Sequence, residues 1–300
     1  MCLEFNGRRR LMHAQNLGDI ADDQPVLIAG PTASGKTALA LRIAQTRGGV
    51  IVNADASQVF DCWRIITARP SAEEETCAPH HLFGHVAYDT RYSAGHWARD
   101  LRAVLAQGQR PIIVGGTGLY FAAATEGLAE IPATPQSVRE QGDARSLDTL
   151  QSDLDPLTKS QIDLSNRARV QRAWEVQKTT GIGLAQWQLS KSDPLVDPSQ
   201  AAKFVLDAPK DWLNPRIEQR LHNMLAEGAI DEVKRMIELH DPRLPSFRAI
   251  GVPELIDYIS GKMDLEDAQS RIIIATRQYA KRQRTWFRKR CIDWHWLKTA

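Results

Sequence analysis

The stretch Val26-Leu27-Ile28-Ala29-Gly30-Pro31-Thr32-Ala33-Ser34-Gly35-Lys36-Thr37 decides the fold. From Gly30 to Thr37 it fits G-x-x-x-x-G-K-[ST] at every fixed position. Val26–Ala29 ahead of it reads as a short buried strand, and Lys36 to Arg47 behind it carries Leu39, Ala40 and Ile43 at helical spacing. A glycine-rich turn between strand and helix points successive backbone N–H groups inward, and the helix N-terminus adds positive potential. Such a nest holds a diphosphate or triphosphate. Lys36 would neutralise phosphate charge there, and the Thr37 hydroxyl suits a Mg²⁺ ligand position. The motif fixes the phosphate end of a ligand and leaves the reaction open.

Working outward, Val50–Asn53, Pro111–Val114 and Lys203–Leu206 are further strand signals. Helical patterns lie between them, notably Ala94 to Gln107, where Trp97, Leu101, Val104 and Leu105 share a face. This rhythm predicts an α/β fold, a P-loop NTPase-like core with a parallel sheet. Between Ala124 and Ala202 the pattern changes to helices punctuated by Pro132, Pro135, Pro156, Pro194 and Pro198. We read 124–202 as a helical insertion domain, with the core formed by 25–123 and 203–300. Residues 1–24 contain Arg8-Arg9-Arg10 without an apolar run and carry Asp19, Asp22 and Asp23, which reads as a mobile tail rather than a targeting segment.

A chain of 300 residues that is 43% hydrophobic can bury a sizeable core, and its net charge of +2 excludes no partner. Cys2, Cys62, Cys77 and Cys291 are scattered without a CxxC pair, which predicts reduced thiols in a cytoplasm and no structural zinc. No apolar run approaches bilayer length, so no membrane partner is expected.

The strand at Val50–Asn53 delivers Asp55 to its carboxyl end, the edge that faces the ligand crevice in open α/β sheets. Asp55 there suits a general base, a water-mediated Mg²⁺ contact or a helix N-cap. The strand at Pro111–Val114 runs into Gly115-Gly116-Thr117-Gly118-Leu119-Tyr120, where ATP-driven motors usually carry an acidic metal ligand. Glycines here would let a ligand approach the backbone. Arg216 and Arg220 lie one turn apart and suit either a phosphate lid or pairing with Glu218. His80, His81 and His85 lack helical metal-ligand spacing. Arg271 to Arg290 holds no acidic residue, and Arg277, Lys281, Arg284 and Arg288 form a stripe suited to a nucleic-acid backbone. Ile272, Tyr279 and Trp286 mark a packing side of the same helix.

In order and spacing, these blocks together with Pro79-His80-His81-Leu82, Tyr92-Ser93-Ala94, Arg216-Ile217-Glu218-Gln219-Arg220 and Arg277 to Arg288 resemble the tRNA dimethylallyltransferases, the tRNA isopentenyltransferase family. The resemblance spans Val26 to Trp296. It implies that Gly30, Pro31, Thr32, Ala33, Ser34, Gly35, Lys36 and Thr37 hold the diphosphate of dimethylallyl diphosphate with Mg²⁺, and that no phosphoryl group moves. The acceptor implied is the exocyclic amine of the adenosine 3′ of the anticodon. Asp55 would be the base, with Lys36 and Arg220 on the leaving group and Thr32 and Thr117 on the reactants. Implied tRNA contacts are Asp55, Ala56, Ser57, Gln58, Thr117, Arg139, Ala168, Arg169, Val170, Gln171 and Arg172. They continue with Arg248, Ala249, Ile250, Gly251, Val252 and Pro253, then Lys281, Arg282, Gln283, Arg284, Thr285, Trp286, Phe287 and Arg288. A monomer is expected.

The chain departs from the family pattern near the acceptor. Ala56 stands where the family usually has Ser, Phe60 where it has Tyr, and Val252 in place of the Tyr of Ile-Gly-Tyr. Cys62 to Thr67 replaces a Gly-x-Asp-Ile-Gly-Thr-like run. Retained chemistry with altered acceptor recognition or rate is the expectation. A P-loop small-molecule kinase, a free-nucleotide prenyltransferase and a non-catalytic RNA-binding protein are the alternatives; the basic helix and insertion speak for a polynucleotide acceptor.

Overall fold

The computed structural model describes residues 20–299; Cys2 and residues 1–19 of the expected tail lie outside the described residues. In chain order the elements are β1 (Val26–Ala29), α1 (Lys36–Arg47), β2 (Val50–Asn53), α2 (Ala72–Cys77), β3 (His80–His81), α3 (Ala94–Leu105), β4 (Pro111–Gly115) and α4 (Gly118–Glu126). Then follow α5 (Gln136–Ala144), α6 (Leu147–Ser152), α7 (Pro156–Gln161), α8 (Arg167–Thr180), α9 (Leu184–Trp187) and β5 (Ala202–Asp207). The last are α10 (Lys210–Ala226), α11 (Ala229–Lys234), α12 (Val252–Ile259), α13 (Leu265–Arg290) and β6 (His295–Lys298).

The strands form one sheet in the order β3-β2-β4-β1-β5-β6, with every pairing parallel. Val26–Ala29, Val50–Asn53 and Pro111–Gly115 are buried at every position, the pattern of central parallel strands covered on both faces. Leu39, Leu41 and Ile43 of α1 pack with Val26, Ile28, Ile51 and Ile112. Each such side chain contributes about 1.5–3 kcal/mol by burial. The helix starts on Gly35 in the left-handed region (φ 92°), with no side-chain cap. Its first amides therefore have no partner from a cap and point at the ligand side.

The chain divides into two compact units, residues 1–121 with 196–300, and residues 122–195. Residues 196–202, expected in the insertion, belong to the first unit, where Ala202 opens β5 beside Val26. The second unit is helical and has its own core of Leu150, Leu154, Val170, Ala173 and Trp174. Asn166 caps α8 by accepting from the Arg169 amide, and Gly181 (φ 74°) ends it.

Residues 20–24, expected in the tail, are held to the first unit. Ile20 is buried, and the Arg47 guanidinium donates to its carbonyl at 2.6 Å. Two strands go beyond the sequence reading. β3 is only His80–His81, and β6 has exposed His295 and Lys298 at its ends with half-buried Trp296 and buried Leu297 between them.

Candidate active site

Because β2, β4 and β1 are neighbours, their carboxyl ends bring Asp55, the Gly115–Thr117 turn and the P-loop to one edge of the sheet. A cavity of about 420 Å³ opens there, lined by Thr32, Asp55, Tyr120, Arg220 and Tyr279. Phe60, Ile66, Ile217, Leu221, Met224 and Ile272 give it an apolar wall.

The P-loop is held in a cradle shape by its own backbone. Ala33 (φ 61°) and Gly35 (φ 92°) take left-handed conformations, and the Ser34 amide donates to the Pro31 carbonyl at 3.3 Å. Lys36 Nζ donates to the same carbonyl at 2.7 Å. Burial pulls the Lys36 ammonium down to about 8; Asp55 acts against that shift and Arg220 adds to it. A phosphate chain would restore the missing countercharge. Among the described residues the buried Ser34 hydroxyl has no hydrogen-bond partner, a polar group suited to a bound anion.

The two arginines of α10 divide their work. Arg220 lines the cavity and donates to the Thr67 carbonyl at 3.3 Å; burial lowers its pKa, against an upward pull from Asp55. Arg216 instead donates from Nε to the Ala33 carbonyl at 3.0 Å and stacks 4.2 Å over Trp212, behind the P-loop. Glu218 is ion-paired to Arg277 of α13.

Asp55 is framed from both sides. The buried Asn53 accepts from the Asp55 amide at 2.8 Å and donates to its carbonyl at 2.9 Å. The Ser57 amide and hydroxyl donate to Asp55 Oδ1 at 3.0 and 2.7 Å. Thr117 donates its amide to the Ala54 carbonyl at 3.0 Å and accepts the Ala56 amide on Oγ1 at 2.9 Å. Asp55 caps no helix; its half-buried carboxylate faces the cavity. Burial and then Asp55 push the Tyr279 phenol above its ordinary range, and Tyr120 moves the same way for the same two reasons.

The expectation that Gly115, Gly116 and Gly118 open the backbone to a ligand is corrected. A Cβ on Gly115 would sit 2.1 Å from the Ala54 carbonyl group, one on Gly116 2.0 Å from the Gln283 amide, and one on Gly118 2.3 Å from Trp286. The space is filled by the protein itself.

The implied tRNA contacts divide by burial. Lys281, Arg282, Thr285 and Arg288 are exposed, Arg284 is half-buried, and Arg282 stacks 5.9 Å over Tyr279. Arg288 lies 3.8 Å from Asp207. Gln283 and Phe287 are buried instead, Phe287 against Phe121, so these two present no surface to a nucleic acid, and half-buried Trp286 packs over Gly118. Arg248 and Pro253 are exposed, and Arg248, Ala249 and Ile250 line the cavity, whereas Gly251 and Val252 at the start of α12 are buried. Gln58 spends its amide on the Thr67 and Ala68 carbonyls at 2.9 and 2.8 Å. In the second unit Ala168 and Arg169 are exposed, but Val170 is core. There Arg139 lies 3.9 Å from buried Glu175, Arg172 donates to Thr134 at 2.8 Å, and Gln171 donates to Asp143 at 2.7 Å.

Two departures acquire a physical reading. Phe60 is buried against the cavity, and the hydroxyl absent at Ala56 has a counterpart in Ser57, which bonds the carboxylate. Glu232 had no signal in the sequence. Buried on α11, it accepts the amides of Arg64, Ile65 and Ile66 at 2.7–2.9 Å and so shapes the turn that carries Ile66 and Thr67 to the cavity. Among the described residues no cluster of three or more His, Cys, Asp or Glu is arranged to hold a metal, and no helix is long and apolar enough to cross a membrane.

Fold and site define a P-loop α/β protein in which a phosphate cradle and a carboxylate share one cavity. The family model described as IPP transferase matches residues 58–290. The tRNA dimethylallyltransferase of Ruegeria sp. (strain TM1040) is 59% identical over 279 residues, covering 93% of this chain and 97% of its own. The crystal structure of the full-length tRNA isopentenylpyrophosphate transferase of Bacillus halodurans has a TM-score of 0.65 at 32% identity, covering 92% of this chain and 90% of that one. A eukaryotic dimethylallyltransferase acting on tRNA has a TM-score of 0.78 at 25% identity, covering 92% of this chain and 74% of that one. The chain belongs to the IPP transferase family.

Proposed function

We propose that the protein transfers the dimethylallyl group of dimethylallyl diphosphate to the exocyclic amine of the adenosine immediately 3′ of the anticodon in tRNA. Pyrophosphate is released. The observation that carries this reading is the shared cavity of Thr32, Arg220 and Asp55, a diphosphate grip facing a carboxylate across an apolar space. The names borne by the relatives support the same reaction.

The acceptor amine is a weak nucleophile because its lone pair is delocalised into the purine. It attacks the allylic C1 as the C1–O bond breaks; the bonding pair leaves with the pyrophosphate oxygen, and the amine proton passes to Asp55. Base catalysis of this kind supplies about 10²–10⁴ in rate. Lys36, Arg220 and the P-loop amides hold the charge that grows on the leaving group. Thr37 would hold Mg²⁺ arriving with the diphosphate, consistent with the few protein oxygens this ion takes in phosphate sites, and the ion would neutralise leaving-group charge. The apolar wall of Phe60, Ile217, Leu221 and Ile272 keeps water from the allylic centre. A cavity of about 420 Å³ admits an adenine only when it is turned out of its stack. Lys281, Arg282, Arg288 and Arg248 contact the tRNA backbone around it. The protein acts as a monomer in the cytoplasm.

The test is to incubate the protein with dimethylallyl diphosphate, Mg²⁺ and unmodified tRNA and analyse the digested nucleosides by mass spectrometry. Isopentenyladenosine should form, and it should vanish when the adenosine 3′ of the anticodon is replaced by guanosine. Product with that replacement in place, or ATP consumed without prenylation, contradicts the reading. Asp55→Asn should lower turnover by about 10²–10⁴ with tRNA affinity retained; unchanged turnover removes Asp55 as the base.

A further inference from the structure

The basic helix α13 also reaches into the site from behind, through one residue. Gln283 is 4% exposed. Its Oε1 accepts the Thr32 amide at 2.8 Å, and its Nε2 donates to the Gly116 carbonyl at 3.0 Å. A backbone amide only donates and a carbonyl only accepts, so the side-chain amide has one orientation that satisfies both. Thr32 belongs to the P-loop, and Gly116 precedes Thr117, whose amide and hydroxyl fix Ala54 and Ala56 on either side of Asp55. Hydrogen bonds and the Gly116–Thr117 peptide link thus join the phosphate cradle, through Gln283, to the backbone on either side of Asp55. Gly116 is glycine to make room for it: a Cβ there would lie 2.0 Å from Gln283 Nε2 and 3.5 Å from Asp55 Oδ2.

We infer that Gln283 is a positioning residue that sets the distance between the diphosphate grip and Asp55, rather than a contact for nucleic acid. It touches neither reactant and acts through the two loops it joins. The attacking amine is deprotonated at one loop and the leaving group is held at the other, so an error in their separation falls on the transition state. Misplacement of about 1 Å costs on the order of 10²-fold. The inference rests on the proposed role of Asp55.

The experiment compares Gln283→Leu and Gly116→Ala with the unaltered protein. The first removes both hydrogen bonds and the one Gln283 makes with the Tyr279 phenol; the second keeps Gln283 but pushes its amide aside. Turnover, KM for tRNA and for dimethylallyl diphosphate, and the Kd of pyrophosphate are measured, with thermal melting alongside. The expected result is a turnover loss of about 30–100-fold in both variants. Both KM values and the pyrophosphate Kd should stay within about threefold, because each loop keeps its own contacts. Turnover unchanged in either folded variant overturns the inference, as does a loss that appears only as weaker pyrophosphate or tRNA binding. Should Gln283→Leu fail to fold, Gly116→Ala decides alone. Failure of the Asp55 reading is distinguishable, since it would appear as a fully active Asp55→Asn.

Discussion

Two glycine-bearing turns follow strands in this molecule, and they do opposite things. The turn after β1, Gly30 to Thr37, is packed at its start, where a Cβ on Gly30 would lie 3.1 Å from Leu206, but leaves room at its helix end: a Cβ on Gly35 would meet nothing within 4 Å, and the Ser34 hydroxyl has no partner among the described residues. In the turn after β4 the space beside Gly115, Gly116 and Gly118 is taken by the Ala54 backbone, Gln283 and Trp286. One is a cradle for a ligand and the other a socket for the protein's own parts. Glycine at a strand end signals close approach, and only the structure says by what.

The difference predicts unequal responses to the same substitution. Gly115→Ala drives a methyl group into the Ala54 carbonyl, 2.1 Å away, and neither backbone can yield. It should cost about 3 kcal/mol or more, read as a large fall in Tm with all activity lost. A melting curve like that of the unaltered protein would mean the β4 turn is not packed as described. Gly35→Ala should be milder, with left-handed strain of about 1–2 kcal/mol and no collision. Its signature is functional: pyrophosphate affinity falls by about tenfold, roughly one well-made hydrogen bond. Equal Tm losses in the two variants would erase the distinction between cradle and socket.

A smaller effect follows from Lys36. Its folded-state pKa of about 8 lies below its ordinary 10.5. Between those values the unfolded chain binds more protons, so this group's contribution to stability rises with pH across that window. Ligand binding runs the other way. Below pH 8 the cation is present for the phosphate; above it the free protein must first take up a proton, and pyrophosphate affinity should fall by up to about tenfold per pH unit. Lys36→Arg keeps its charge throughout, so its affinity should lack that break. A break that persists in Lys36→Arg belongs to some other group.

What could be read beforehand follows from how local each signal is. The P-loop, β2, β4 and Asp55 are consecutive or nearly consecutive residues whose flanks state their geometry, and all were legible. β3 was missed because a strand of His80–His81 carries no pattern, and β6 because His295–Lys298 mixes exposed polar residues with two apolar ones. Helix α13 is legible as basic; the acid-free stretch from Arg271 is the later part of a helix that starts at Leu265, with Asp264 capping and Glu266 and Asp267 in its first turn. Its stripe is also less free than the sequence suggests, since Arg277 is ion-paired to Glu218. Gln283 stands among arginines in a block that the resemblance assigns to tRNA contact. Its partners Thr32 and Gly116 are remote in the chain, and periodicity cannot report contacts of that range. Glu232 was silent for the same reason.

The most direct test of a P-loop that grips a leaving group counts pyrophosphate against prenylated adenosine, in reactions supplied with dimethylallyl diphosphate, Mg²⁺ and tRNA but no ATP. One pyrophosphate should appear for each modified adenosine, with no phosphate added to the RNA. Dependence on ATP, or phosphate transferred to any acceptor, would contradict it.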